Sequence, residues 1–127
     1  METVSITLPI YQTINGKTVL IGLNWYRNAH YQVLNKIKRL YSQEIFLKLR
    51  RDNTVFEMYC VEYNLYYKNS SCDLMNVVAV IDKFFQDALQ ELKIVINDNV
   101  KHCCNVSSRV IDQDKINPRI EIIVRSI

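Results

Sequence analysis

The chain has 127 residues, enough for one domain with a real core, and its 49% hydrophobic and 23% charged content excludes disorder over most of the length. No apolar run reaches the roughly 18 residues of a membrane span, and the opening "METVSITLPIYQ" lacks the basic start and small-residue cleavage site of a signal peptide. A net charge of +3 is too small to identify a nucleic-acid partner by itself, and only two glycines disfavour nucleotide-binding folds built on glycine turns.

"VSITLPIY" (Val4–Tyr11) alternates and predicts a strand. Asn15-Gly16 is a hairpin turn signal, with "TVLIGLN" (Thr18–Asn24) as the return strand. From about Trp25 to Leu49 apolar residues recur at helical spacing: Tyr26, Leu34, Ile37, Leu40, Tyr41, Ile45 and Leu49. "RRDNT" (Arg50–Thr54) ends that helix, and the aromatic, β-branched "VFEMYCVEYNLYYK" (Val55–Lys68) predicts a long strand. "NSSCD" (Asn69–Asp73) is rich in helix-capping residues and precedes a second helix, Leu74 to about Glu91. Strands are expected within Val100–Asp112 and Arg119–Ile127. The order is β-β-α-β-α-β-β, an α+β fold with a mixed sheet and two main helices, as a single domain over residues 1–127.

Charge is unevenly spread. Seven basic residues lie between Arg27 and Arg51 (Arg27, Lys36, Lys38, Arg39, Lys48, Arg50 and Arg51) against Glu44 alone. Between Asp73 and Asp98 five acids face only Lys83 and Lys93. The first segment suits phosphates and the second a cation, although solvated faces show the same runs. The four cysteines, Cys60, Cys72, Cys103 and Cys104, have no zinc spacing and read as reduced thiols of a cytosolic protein. His102 adjoins two of them, but His30 is the only other histidine, which disfavours zinc.

On the second helix Leu74, Val77, Ile81, Phe84, Ala88 and Leu92 share a face that should pack on the sheet. Asn76, Lys83, Asp87 and Gln90 fall on a polar stripe, Asp73 lies at the helix mouth, and Asp82 is about a quarter turn away. Each has an ordinary structural role open to it. Asp73 can cap the helix, Lys83 and Asp87 can pair at i,i+4, and Asp98-Asn99 can make a turn.

The stretch "DLMN…DKFFQDAL…INDN" resembles the RusA family of Holliday junction resolvases, which bacteriophages often carry. In the family pattern an Asp-x-Asp-Asn precedes a helix with a Lys and an Asp-Ala-Leu, followed by an Asp-Asp pair. Asp73 and Asn76 match the opening, Lys83 and Asp87–Leu89 the helix, and Asn97-Asp98 the closing pair. "LNWYRN" (Leu23–Asn28) is similar to the family's early Asn/Tyr/Arg-rich loop. Met75 and Asn97 replace two of the family's aspartates, and the gap from Asn76 to Lys83 is longer by about one helical turn.

The resemblance implies a homodimeric endodeoxyribonuclease that resolves four-way junctions in recombination and repair. It implies Mg2+, with Mn2+ as an alternative, no membrane or nucleotide cofactor, and the cytoplasm of a host cell if the chain is phage-encoded. The implied catalytic residues are Asp73, Lys83, Asp87 and Asp98. Metal would fall to Asp73, Asp98 and one of Asp82 or Asp87. Arg27, Lys36, Lys38, Arg39, Arg50, Arg51 and Asn76 would meet DNA. Such chemistry needs hard carboxylate oxygens and a nearby cation. An unbroken second helix would keep Asp73 and Asp98 apart; a shorter one would let them meet. The alternative is a binding-only relative that holds branched DNA or a protein partner, as Met75 and Asn97 suggest.

Overall fold

The computed structural model describes residues 2–50 and 54–127. Its elements are β1 (Thr3–Pro9), β2 (Tyr11–Ile14), β3 (Lys17–Leu20), α1 (Leu23–Asn28), α2 (Tyr31–Leu49), β4 (Tyr59–Tyr67), α3 (Leu74–Glu91), β5 (Cys103–Gln113) and β6 (Arg119–Ser126). The architecture is α+β, with a mixed four-stranded sheet and two main helices in the expected order. Two expected elements are subdivided. The first strand stops at Pro9, and Tyr11–Ile14 turns into a separate hairpin with β3. The first helix breaks at Ala29, because the His30 side chain accepts from Gln32 N and starts α2 afresh.

The hairpin turn is where the sequence placed it. Asn15 and Gly16 have φ of 51° and 78°, the doubly left-handed geometry that Asn-Gly supplies at low cost. The main sheet runs β1-β6-β4-β5. β6 is antiparallel to both neighbours, while β4 and β5 are parallel. Parallel neighbours require a crossover, and α3 is that crossover.

Alternation in the strands decides which face is buried. Val4, Ile6 and Leu8 of β1, Val61, Tyr63 and Leu65 of β4, and Ile120, Ile122 and Val124 of β6 all point into the core. Ile37, Tyr41, Ile45 and Leu49 of α2 meet them at helical spacing. On α3 the expected face is buried at Val77, Ile81, Phe84 and Ala88, and Val78, Val80, Phe85 and Leu89 are buried as well. The helix is enclosed on two sides because α1 and α2 flank it. Among the described residues, no helix is long and apolar enough to cross a membrane.

Candidate functional site

α3 starts where its cap requires. The Asp73 carboxylate accepts from Met75 N (3.1 Å) and Asn76 N (3.3 Å), satisfying donors that no helical turn can reach. The helix then runs unbroken for 18 residues, about 27 Å. Nine residues, about 13 Å along the axis, separate Asp73 from Asp82. The loop after the helix folds back, so that Asp98 acts on Asp82 near the helix middle, well along the axis from Asp73.

A hydrogen-bonded cluster does form around one of the acids, Asp82. Asp82 is half-buried and accepts a hydrogen bond from the Tyr63 hydroxyl and another from Gln86 Nε2 (3.3 Å). Gln86 is buried with both ends of its amide engaged. Its Oε1 accepts from the Tyr59 hydroxyl (2.6 Å), and its Nε2 also reaches Cys103 Sγ (3.5 Å). The Tyr59 hydroxyl lies 3.5 Å from the Asn97 carbonyl, which brings the Asn97-Asp98 loop onto the cluster. Asp98 itself is exposed.

Electrostatics follow from this placement. Burial raises the Asp82 pKa above the ordinary carboxylate value, and the charges of Asp98 and Asp87 add to the rise. The Tyr63 and Gln86 hydrogen bonds act in the opposite direction by favouring the ionised form. Burial likewise raises the hydroxyls of Tyr59 and Tyr63, so both are neutral donors at physiological pH. Cys103 is raised for the same reason and remains a thiol.

The predicted residues therefore divide. Asp98 is near enough to act electrostatically on Asp82. Asp87 is close enough to act on Asp82, but its carboxylate pairs with Lys38 Nζ of α2 at 2.9 Å, not with Lys83. Lys83 is exposed on α3. Asn76 is a structural clamp: its Oδ1 accepts from Leu23 N (3.0 Å), at the start of α1. Gly22 makes room for it, since a Cβ there would lie 2.7 Å from Asn76 Nδ2. Asn76 is thus half-buried between α3 and α1, with its amide oxygen engaged by α1.

Of the basic residues, Arg27, Lys36, Arg39 and Arg50 are exposed, and Arg50 caps α2. Lys38 and Arg39 line a shallow groove with Glu91, beside the Lys38–Asp87 pair. Arg51 lies outside the described residues. The four cysteines are free thiols, and His102 Nδ1 is 2.8 Å from the Glu57 carbonyl. Among the described residues no three His, Cys, Asp or Glu side chains of a single chain converge tightly enough to enclose an ion.

Mg2+ is nevertheless compatible with the donors at hand. It is commonly held by one or two carboxylates with water and substrate phosphate filling the other positions, and Asp82 with Asp98 offers that set. Sequence reasoning missed Tyr59, Tyr63 and Gln86. Their only signals were the i,i+4 relation of Gln86 to Asp82 and the same-face spacing of the two tyrosines on β4. No family model matches the chain, and no curated protein matches it.

Proposed function

We propose that the protein is a divalent-metal-dependent endodeoxyribonuclease that resolves four-way DNA junctions, acting as a homodimer in a host-cell cytoplasm. The observation that carries this reading is Asp82, a half-buried carboxylate oriented by Tyr63 and Gln86 and within electrostatic range of Asp98 and Asp87. A carboxylate held by two buried donors keeps one geometry, which is what a metal ligand needs from its supporting shell. A divalent ion there supplies positive charge to a phosphodiester and acidifies the attacking water.

The chain's own residues do the rest. Asp82 and Asp98 supply negative oxygens from two separate segments. Lys38 pairs with Asp87, which acts electrostatically on Asp82, and the exposed Lys83 follows Asp82 on α3. Lys36, Arg39 and Arg27 would hold phosphates without reading sequence. Trp25 and Tyr26 are half-buried against the core, whereas Tyr31 is 65% exposed and available to stack on an opened base.

The test is incubation of purified protein with a synthetic four-way junction and Mg2+, repeated with Asp82→Asn and Asp98→Asn. Symmetric cuts by the wild type, reduced at least about a hundredfold in both variants, are expected. Met75, exposed where the resemblance calls for a carboxylate, favours a second reading: a module that binds branched DNA without cutting it. Junction binding with no cuts under any divalent ion would establish that reading instead.

A further inference from the structure

The seam between α2 and α3 is open on its outer side. Ile37, Tyr41 and Ile45 turn α2 into the core. Phe46 and Leu47 of the same helix nevertheless remain 47% and 62% exposed. They are not scattered. Both wall a groove of about 530 Å3 whose far side is Ala88 and Leu92 of α3. The groove runs past Arg39, Ser42 and Glu91 into a polar depression that adds Asn35 and Lys38. From Asn35 to Leu47 α2 rises about 18 Å, or roughly three helical turns. Single exposed apolar residues are ordinary on a surface, but apolar groups on both walls of one groove mark a contact site.

Charge along the seam selects the occupant. Lys38 is neutralised by Asp87 (2.9 Å) and Lys48 by Glu44 (3.4 Å). The Lys48 ammonium also donates to the Thr7 carbonyl of β1, at the sheet edge, which draws it away from the seam. Lys36, Arg39 and Arg50 make no ion pair among the described residues, and on the facing wall only Glu91 is left to oppose them. The surplus is positive, so the complementary surface is acidic. A second copy does not suit this face, because an isologous contact sets Lys36, Arg39 and Arg50 against themselves. A nucleic-acid backbone would meet the cations but leave Phe46, Leu47 and Leu92 without apolar partners.

We infer that the α2/α3 seam docks an acidic amphipathic helix of a partner protein. Its apolar stripe seats between Phe46, Leu47 and Leu92, and its carboxylates meet Arg39 and the flanking Lys36 and Arg50. A third helix laid over two others packs at an interaxial distance of about 8–10 Å and turns its i, i+3, i+4 and i+7 positions into the groove. At about 100° per residue, Ala88, Glu91 and Leu92 lie roughly 80–180° around α3 from Asp82. The groove is therefore distinct from the carboxylate cluster, and docking there does not depend on the nuclease reading. Arg39 is shared with the proposed phosphate contacts, so the decisive variants spare it.

The test uses the full chain and a fluorescein-labelled synthetic peptide of about 14 residues, roughly 21 Å as a helix, with leucine at i, i+3, i+4 and i+7 and glutamate elsewhere. Saturable binding by anisotropy is expected, at least about tenfold weaker when lysine replaces glutamate or when the leucines are scrambled off one face. Phe46→Ser with Leu47→Asp, both at exposed positions, should keep the wild-type circular dichroism spectrum and weaken binding at least about tenfold. Amide chemical-shift changes on titrating the wild type need no variant, and they should concentrate at residues 35–47 and 87–92. If the double variant misfolds, these shifts decide alone.

No saturable binding, equal binding of the lysine or scrambled peptide, or a folded double variant that binds like wild type overturns the docking site. So do shifts centred elsewhere. A double variant that loses self-association, or binding of a labelled oligonucleotide, while peptide binding persists also overturns it, and assigns the face to a second copy or to DNA.

Discussion

Asp82 is a carboxylate that folding makes harder to ionise. Its folded pKa lies above the ordinary value of 3.8, chiefly through burial. The folded chain therefore holds the proton to a higher pH than the unfolded chain does. The group favours folding below the ordinary value, and that contribution is lost as pH rises through the raised folded value. At neutral pH Asp82 is a liability, and Asp82→Asn should stabilise the protein by about 0.5–1.5 kcal/mol while abolishing cutting. Urea unfolding at neutral and at acidic pH checks this, because the gain should vanish toward and below pH 3.8. Gln86 has the opposite sign. Gln86→Leu removes the strong partner of a buried tyrosine hydroxyl, so about 1–3 kcal/mol should be lost in the same unfolding experiment. Asp82 and Asp98 could be picked from the sequence because carboxylates stand out in an apolar helix and its following loop. Tyr59, Tyr63 and Gln86 could not, since their roles exist only once β4 lies beneath α3.

α3 shows what is local and what is not. Its span, Leu74 to Glu91, was legible because a capping Asp opens it and an uninterrupted apolar period fills it. The cap gives a separable prediction. Asp73→Ala should lower stability by about 1 kcal/mol, whereas Asp73→Asn, which still accepts from the helix amides, should stay within about 0.5 kcal/mol of wild type. Thermal unfolding of the two variants distinguishes capping from any role of the charge. The break between α1 and α2 was not legible, because no Gly or Pro marks it. Ala29 and His30 simply adopt extended backbone, and the His30 ring replaces a lost amide partner. Nor could the Asn76–Leu23 bond be seen, since it joins residues 53 apart in the chain.

At the scale of the molecule, the α+β order was legible from alternation and helical period, but the sheet's arrangement was not. β6 inserts between β1 and β4, and no local signal tells a terminal strand to pair in the middle of a sheet. The basic character of α2 was legible as composition, and its exposed members give a measurable expectation. Lys36→Ala and Arg39→Ala should each weaken junction binding uniformly across sequences and lower the logarithmic salt slope by about one unit. Titrations at several ionic strengths read that slope directly. The Lys48 contact to Thr7 has a consequence for the sheet's margin. A foreign strand that approaches β1 at Thr7 must first displace an ammonium ion from the carbonyl it would use, which discourages sheet extension at that point.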